Sequence, residues 1–226
     1  MGILMAFIII FFWTAHLLYS LLYVQTSMAN PWMWFHMLVQ GYLYTGLFIT
    51  AHDAMHGTIS VNRKINNALG RTAAFLFAGM WFPRLRRKHM LHHQFPGTGK
   101  DPDFNERHQN FWLWWFGFMK NYVTWYQLLI MAVVFNLLTL AFPQPAIFAF
   151  WVVPAFLGTL QLFYFGTYVP HRKPHTPDMD VHRTRTQKRN HLKAMLTCYF
   201  FGYHHEHHLF PRIPWWRLYQ TKEKQT

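Results

Sequence analysis

Sixteen of the 226 residues are histidine, and eight of these fall into three short clusters. His52 and His56 stand in HDAMH, an HxxxH spacing. His89, His92 and His93 stand in HMLHH, and His204, His207 and His208 in HHEHH, each an HxxHH spacing. Residues three and four apart share one face of a helix, so each cluster aims two or three imidazoles at one spot. Eight imidazoles are too many for a single zinc ion, which takes about four ligands in all. They suit two metal ions of higher coordination number. Imidazole binds zinc, copper, iron and nickel alike. Open positions on a pair of redox metals facing a membrane interior favour iron and O2 chemistry.

Four carboxylates lie close to the clusters: Asp53, Asp101, Asp103 and Glu206. Metal-bound imidazoles usually donate their other N–H to a carboxylate or a carbonyl, and these four are the candidates for that supporting role. Asp101 and Asp103 also flank Pro102, so shaping a turn is the alternative for that pair. A membrane zinc hydrolase is a different class of reaction, and HExxH is its signature. Here His205-Glu206 is followed by His207-His208-Leu209, which leaves the second ligand position empty. A metal carrier would set its polar residues inside the spans, whereas these clusters lie at span ends. The single cysteine, Cys198, excludes an intramolecular disulfide and reads as a small apolar residue.

The elements that must position the clusters follow from where charge is placed. The chain carries 21 Lys and Arg against 8 Asp and Glu, with 52% hydrophobic residues. No charged residue occurs in 1–52 or in 121–171. A spanning helix needs about 20 apolar residues, so each stretch holds two helices and a turn. Turns are signalled at Gln25–Pro31 and at Phe142–Pro145. The reading is an all-α integral membrane protein with four transmembrane helices as two hairpins. That placement excludes a soluble nucleic-acid binder. The basic segments between and after the hairpins predict that the histidine-rich cap and the C-terminus face the cytoplasm. Thr72–Pro83, about 12 apolar residues, is too short to span and is expected to dip into the membrane and return. Phe111–Met119 reads as an interfacial helix leading into the third span. Nothing resembles a cleaved signal peptide, a repeat or a linker, so residues 1–226 form one domain.

HxxxH followed by two HxxHH boxes, with spans between, resembles the membrane fatty-acid desaturase and hydroxylase superfamily. Within it, AHDAMHG (Ala51–Gly57), HHQFPGTGKDPDF (His92–Phe104), FGTYVPHR (Phe165–Arg172) and GYHHEHHLFPRIPWWRL (Gly202–Leu218) resemble the bacterial and cyanobacterial β-carotene ketolase type. The resemblance implies a ninth ligand, His171, in FGTYVPHR. It also implies two iron ions, O2 as co-substrate and an external electron donor such as reduced ferredoxin. The implied reaction is oxidation of the allylic 4-methylene of a β-ionone ring to a ketone by two hydroxylations and a dehydration. On both rings this takes β-carotene through echinenone to canthaxanthin. A ring hydroxylase or a fatty-acyl desaturase would use the same metal site.

No haem, flavin or nicotinamide motif is present. The basic face that includes Arg84, Arg86, Arg87, Lys88, Arg183, Arg185, Lys188 and Arg189 is the candidate for docking an acidic donor, against ordinary positive-inside bias. The host membrane implied is a bacterial inner membrane or a thylakoid. His205 is expected beside the ligands rather than among them. His108, His175, His182 and His191 are expected at the surface or in support, with His191 the first exception. His16 and His36 lie within spans and are left out of the site.

Overall fold

The computed structural model describes residues 1–223, so the chain's last three residues lie outside it. About 70% of the chain is helical, with no strand among the described residues. Ten helices organise it: α1 (Gly2–Tyr23), α2 (Pro31–His56), α3 (Arg63–Ala78), α4 (Phe82–Gln94), α5 (Phe111–Tyr122), α6 (Trp125–Leu138), α7 (Gln144–His171), α8 (His191–Cys198), α9 (His204–Leu209) and α10 (Tyr219–Glu223).

Local sequence sets the ends of the helices that matter. Asn30 caps α2 by accepting from the Trp32 N–H, and Pro31 follows at the first helical position, where its missing N–H costs nothing. Gly57 stops α2 in the left-handed region, φ 75°, one residue beyond His56. Asn62 caps α3 and Asn110 caps α5 in the same way as Asn30. Two turns of α7 are widened to π geometry, Phe148–Val152 and Tyr164–Tyr168. Each ends shortly before a proline, Pro154 and Pro170, whose ring and missing N–H spoil the ordinary hydrogen bond one turn back.

Helices α1, α2 and α7 pack around Trp13, Tyr44, Leu47, Ile49 and Phe150. The α2–α7 crossing is close because both helices put glycine there. A Cβ on Gly158 would lie 3.1 Å from the Tyr44 Cβ and 3.2 Å from the Gly41 carbonyl oxygen. Helix α3 runs back along α2 until Phe77 meets Phe48 and Tyr44, at ring separations of 5.4 and 6.1 Å. The chain turns at Gly79, and α4 returns to the level of His52. The expected apolar segment Thr72–Pro83 thus forms the turn between α3 and α4 and the helix ends on either side of it.

The count of spans differs from the expected four. α1, about 33 Å long at 1.5 Å per residue, and α7, about 42 Å, are long and apolar enough to cross a membrane. α5 and α6 make a third if taken as one broken span, for they meet at 88°. α2 has the length, 26 residues, but buries Gln40, Thr45, Thr50, His52 and Asp53 inside the protein, which lowers its apolar character. α6 has only 14 residues, and α5 is bent away from it. Phe7, Phe11, Phe12, Leu18 and Leu22 of α1 are exposed, an apolar outer surface suited to lipid.

Candidate metal centre

Four elements bring the nine histidines together: the end of α2, the last turns of α4, the end of α7 and the short helix α9. Their ligand atoms form two groups. His52, His56, His89, His93 and His207 make the first, and His92, His171, His204 and His208 the second. Within each group the atoms lie within 4.8 Å of one another. The two HxxHH boxes divide in the same manner. In α4 the i, i+4 pair His89 and His93 joins the first group and His92 the second. In α9 the pair His204 and His208 joins the second group and His207 the first.

The close contacts all run through Nε2. In the first group His52 and His93 stand 3.1 and 3.0 Å from His207, and His56 stands 2.7 Å from His89. In the second, His92 to His208, His208 to His204 and His204 to His171 are 3.1, 3.1 and 3.0 Å. Hydrogen bonding does not account for this chain of four atoms. Each neutral Nε2 has either one proton or one lone pair, so three contacts contain at most two hydrogen bonds. A cation among the lone pairs satisfies all four. Two nitrogens about 2.1 Å from one ion lie ~3.0 Å apart at a right angle and ~3.4 Å apart at the tetrahedral angle. Most of the observed spacings, near 3 Å, are close enough for neighbouring nitrogens to share one ion.

Burial prepares these donors. His89, His204, His207 and His208 are pushed well below the ordinary imidazole range, first by burial and then by neighbouring imidazoles. His93 is brought down to about 2 by the same two causes. They therefore present lone pairs at neutral pH. His92 differs. Burial lowers it, but Asp101 and Asp103 outweigh burial and raise it to about 9.

The supporting carboxylates separate into three cases. Asp101 places Oδ1 and Oδ2 at 3.0 and 3.1 Å from His92 Nδ1, and it accepts from the backbone N–H of Gly97 and Asp103. The turn-shaping role and the histidine-orienting role are thus one arrangement. Asp103 lies 3.7 Å from the same nitrogen and accepts from the Tyr122 hydroxyl. Asp53 lies 3.6 Å from His52 Nδ1 and accepts from the Trp215 N–H. Glu206 does not meet the expectation. Its partners are Lys222, at 2.6 Å, and Thr186, at 2.5 Å. Two residues along a helix is 200°, so Glu206 points away from the face that His204, His207 and His208 share.

Other histidines fall outside both groups. His205 bonds Thr184, and His191 bonds the Tyr203 hydroxyl. His175 donates to the His171 carbonyl, and the His182 ring lies 5.7 Å from that of His208. His16 bonds both His36 and Gln40 between α1 and α2. His171 Nδ1 is held by the Arg183 carbonyl, a support that no carboxylate count could reveal. Much of the basic face is also committed to structure. Arg84 and Lys88 donate to the Asn121 carbonyl, Arg183 to that of Gly97, and Arg185 to those of Arg172 and Pro174.

An apolar cavity of about 810 Å3 of empty space, its open mouth included, ends on the histidines. His52 and His89 of the first group and His92 and His204 of the second line it, with Met55, Phe77, Leu85, Phe118 and Leu162 along its walls. A second opening, lined by Arg63, Arg86 and Arg212, reaches His56.

Comparison with known proteins gives the family. The model of the fatty acid desaturase family matches residues 29–126 and 119–225. A β-carotene ketolase of Paracoccus sp. (strain PC1) is 42% identical, over 80% of this chain and 76% of its own. A zeaxanthin 4-ketolase of Chlamydomonas reinhardtii is 40% identical over 98% of this chain, which spans about half (53%) of that protein. A dihydrorhizobitoxine desaturase of Bradyrhizobium elkanii is 27% identical over 88% of this chain. No solved structure matches. With the family match running through every histidine cluster, the chain belongs to the fatty acid desaturase family.

Proposed function

We propose that the protein is a carotenoid ketolase that oxidises the 4-methylene of a β-ionone ring at a pair of iron ions. The observation that carries this is the apolar cavity lined in part by imidazoles from both groups. An apolar ring entering it meets both groups at once, and the Met, Phe and Leu walls exclude water from the reacting carbon. The ketolase relatives support the choice of a carotenoid.

His52, His56, His89, His93 and His207 would hold one iron ion, and His92, His171, His204 and His208 the other. Bound there, the iron pair supplies O2 activation and removal of hydrogen from the allylic carbon. Asp101 fixes the His92 ring by holding its Nδ1 proton, and the Arg183 carbonyl does the same for His171. Each hydroxylation takes one O2, two electrons and two protons, puts one oxygen on carbon and releases the other as water. The geminal diol left after two rounds loses water to give the ketone.

Electrons arrive from outside the chain. The opening at His56 has three arginines around it, and a reduced ferredoxin with an acidic face fits that charge. With the charge-free segments in the membrane, the histidines and the basic segments lie on the cytoplasmic side by the positive-inside rule.

The test is the pigment profile of β-carotene-producing bacterial cells with and without the gene. Echinenone and canthaxanthin are expected, and both are lost with His92→Ala or His207→Ala. Hydroxylated rings alone would replace ketolase by ring hydroxylase. Unchanged carotene with iron-loaded protein would overturn the substrate and direct the search to lipid acyl chains.

A further inference from the structure

The cavity wall carries two buried polar side chains that bond to nothing else. Thr167 is 5% exposed and Gln127 6%, and both line the apolar cavity. Neither side chain has a hydrogen-bond partner among the described residues. Gln127 also borders a small recess shared with Trp81, Arg84 and Tyr126, whereas Thr167 faces the cavity alone.

Other threonines on the long helices close their hydroxyls onto the carbonyl one turn back. Thr45 bonds Gly41, Thr50 bonds Gly46 and Thr159 bonds Ala155 in this way. Thr167 does not, and it lies inside the widened π turn Tyr164–Tyr168 that precedes Pro170. Widened turns of this kind recur at functional sites. The Thr167 hydroxyl has no partner among the described residues and stands on the wall of the cavity, where a polar group that enters can bond it. Thr167 also sits one helical turn, about 6 Å of rise, before the ligand His171. A polar group arriving there is therefore close to the reacting carbon.

We propose that Thr167 is a positioning residue that holds the oxygen installed by the first hydroxylation. This rests on the ketolase reading, in which a second oxygen must go onto the same carbon. A 4-hydroxyl bonded to Thr167 keeps the ring in place, with the remaining C4–H turned toward the imidazoles. Without that bond the alcohol leaves, or turns its hydroxyl inward, before the second round. Thr167 thereby separates an enzyme that makes ketones from one that stops at alcohols. The first hydroxylation does not need it, because the unoxidised ring has no oxygen to hold.

The test compares wild type, Thr167→Val and Thr167→Ser in β-carotene-producing cells, with expression adjusted so that each consumes the same amount of β-carotene. The ratio of 4-hydroxy to 4-keto products is read. Thr167→Val removes the hydroxyl at nearly constant shape and is expected to raise the ratio about fivefold, the effect of one ordinary hydrogen bond. Thr167→Ser restores the hydroxyl and is expected to return the ratio to that of wild type. With purified enzyme, Thr167→Val raises KM for the 4-hydroxy ring about fivefold more than KM for β-carotene. Thr167→Ala serves in the same assays should the valine variant not accumulate. An unchanged ratio without the hydroxyl, or a serine variant that behaves like valine, overturns the proposal. If wild type itself makes no oxygenated carotenoid, it is the ketolase reading that has failed. Ketones from wild type with an unmoved ratio in the variants reject Thr167 alone.

Discussion

Asp101→Asn tests whether the second histidine group is built to hold a metal. Asp101 is buried, and its two oxygens serve three donors: His92 Nδ1, the Gly97 N–H at 2.8 Å and the Asp103 N–H at 2.9 Å. Asparagine keeps the shape but loses the charge and one acceptor. The bond to His92 is charge-assisted, worth about 1.5–3 kcal/mol, and its loss predicts a fall in affinity of ~10–150-fold for the ion that His92 binds. Loss of a carboxylate behind a metal-bound histidine generally costs a similar factor, about 10–100-fold. A backbone N–H left facing an amide N–H adds about 1–3 kcal/mol of lost stability. The two effects are separable. Iron bound per chain is measured by titration of the detergent-purified protein, and metal-free stability by thermal unfolding. The expected result is selective: one ion of two is lost at limiting iron, because the first group draws nothing from Asp101. Retention of both ions at wild-type affinity would refute the assignment of His92 and Asp101 as ligand and support.

Three further outcomes follow from the geometry. In the metal-free protein His92 holds a proton up to about pH 9, and an ion must displace it. Iron uptake by the second group should therefore weaken as pH falls below 9, about tenfold per unit for one proton. The depressed imidazoles His89, His93 and His207 of the first group make no such demand over pH 7–9, and a single pH-independent affinity for both ions would contradict this. Glu206→Gln should leave iron content intact while lowering thermal stability, since it breaks a buried pair with Lys222 and no metal contact; loss of iron would restore the carboxylate to the metal site. Arg86→Glu should raise KM for a ferredoxin donor and flatten its salt dependence, yet leave turnover with a small chemical reductant unchanged.

The histidines that gather into the two groups were legible because their signal is local. HxxxH and HxxHH spacings show which imidazoles share a helix face, and all eight so identified joined a group, as did His171. Their division between two ions was not legible, since it depends on how α4 and α9 face each other across 116 residues of chain. Glu206 was placed by its neighbours in sequence, whereas its helical angle turns it to Lys222. Charge-free runs located the apolar segments, but a hydropathy run does not register an 88° bend between Tyr122 and Trp125. Nor does it register that the polar face of α2 is hidden inside the protein. Thr167 gave no signal because its meaning lies in a hydrogen bond it does not make.

The interleaving of the two groups has a mechanical side. His52 and His207 are 155 residues apart in sequence, and His92 and His208 are 116 apart. An ion gripping both members of such a pair closes the chain on itself as a disulfide would. The single buried Cys198 has no cysteine partner with which to form one. On the loop-entropy scale used for disulfides, closing 155 residues is worth about 5 kcal/mol. Because each group takes ligands from α4 and α9 together, neither closure can form before α9 has been made and has folded against the rest. Metal loading would then be the last knot tied in the fold, and a chelator would loosen both ends of the chain at once.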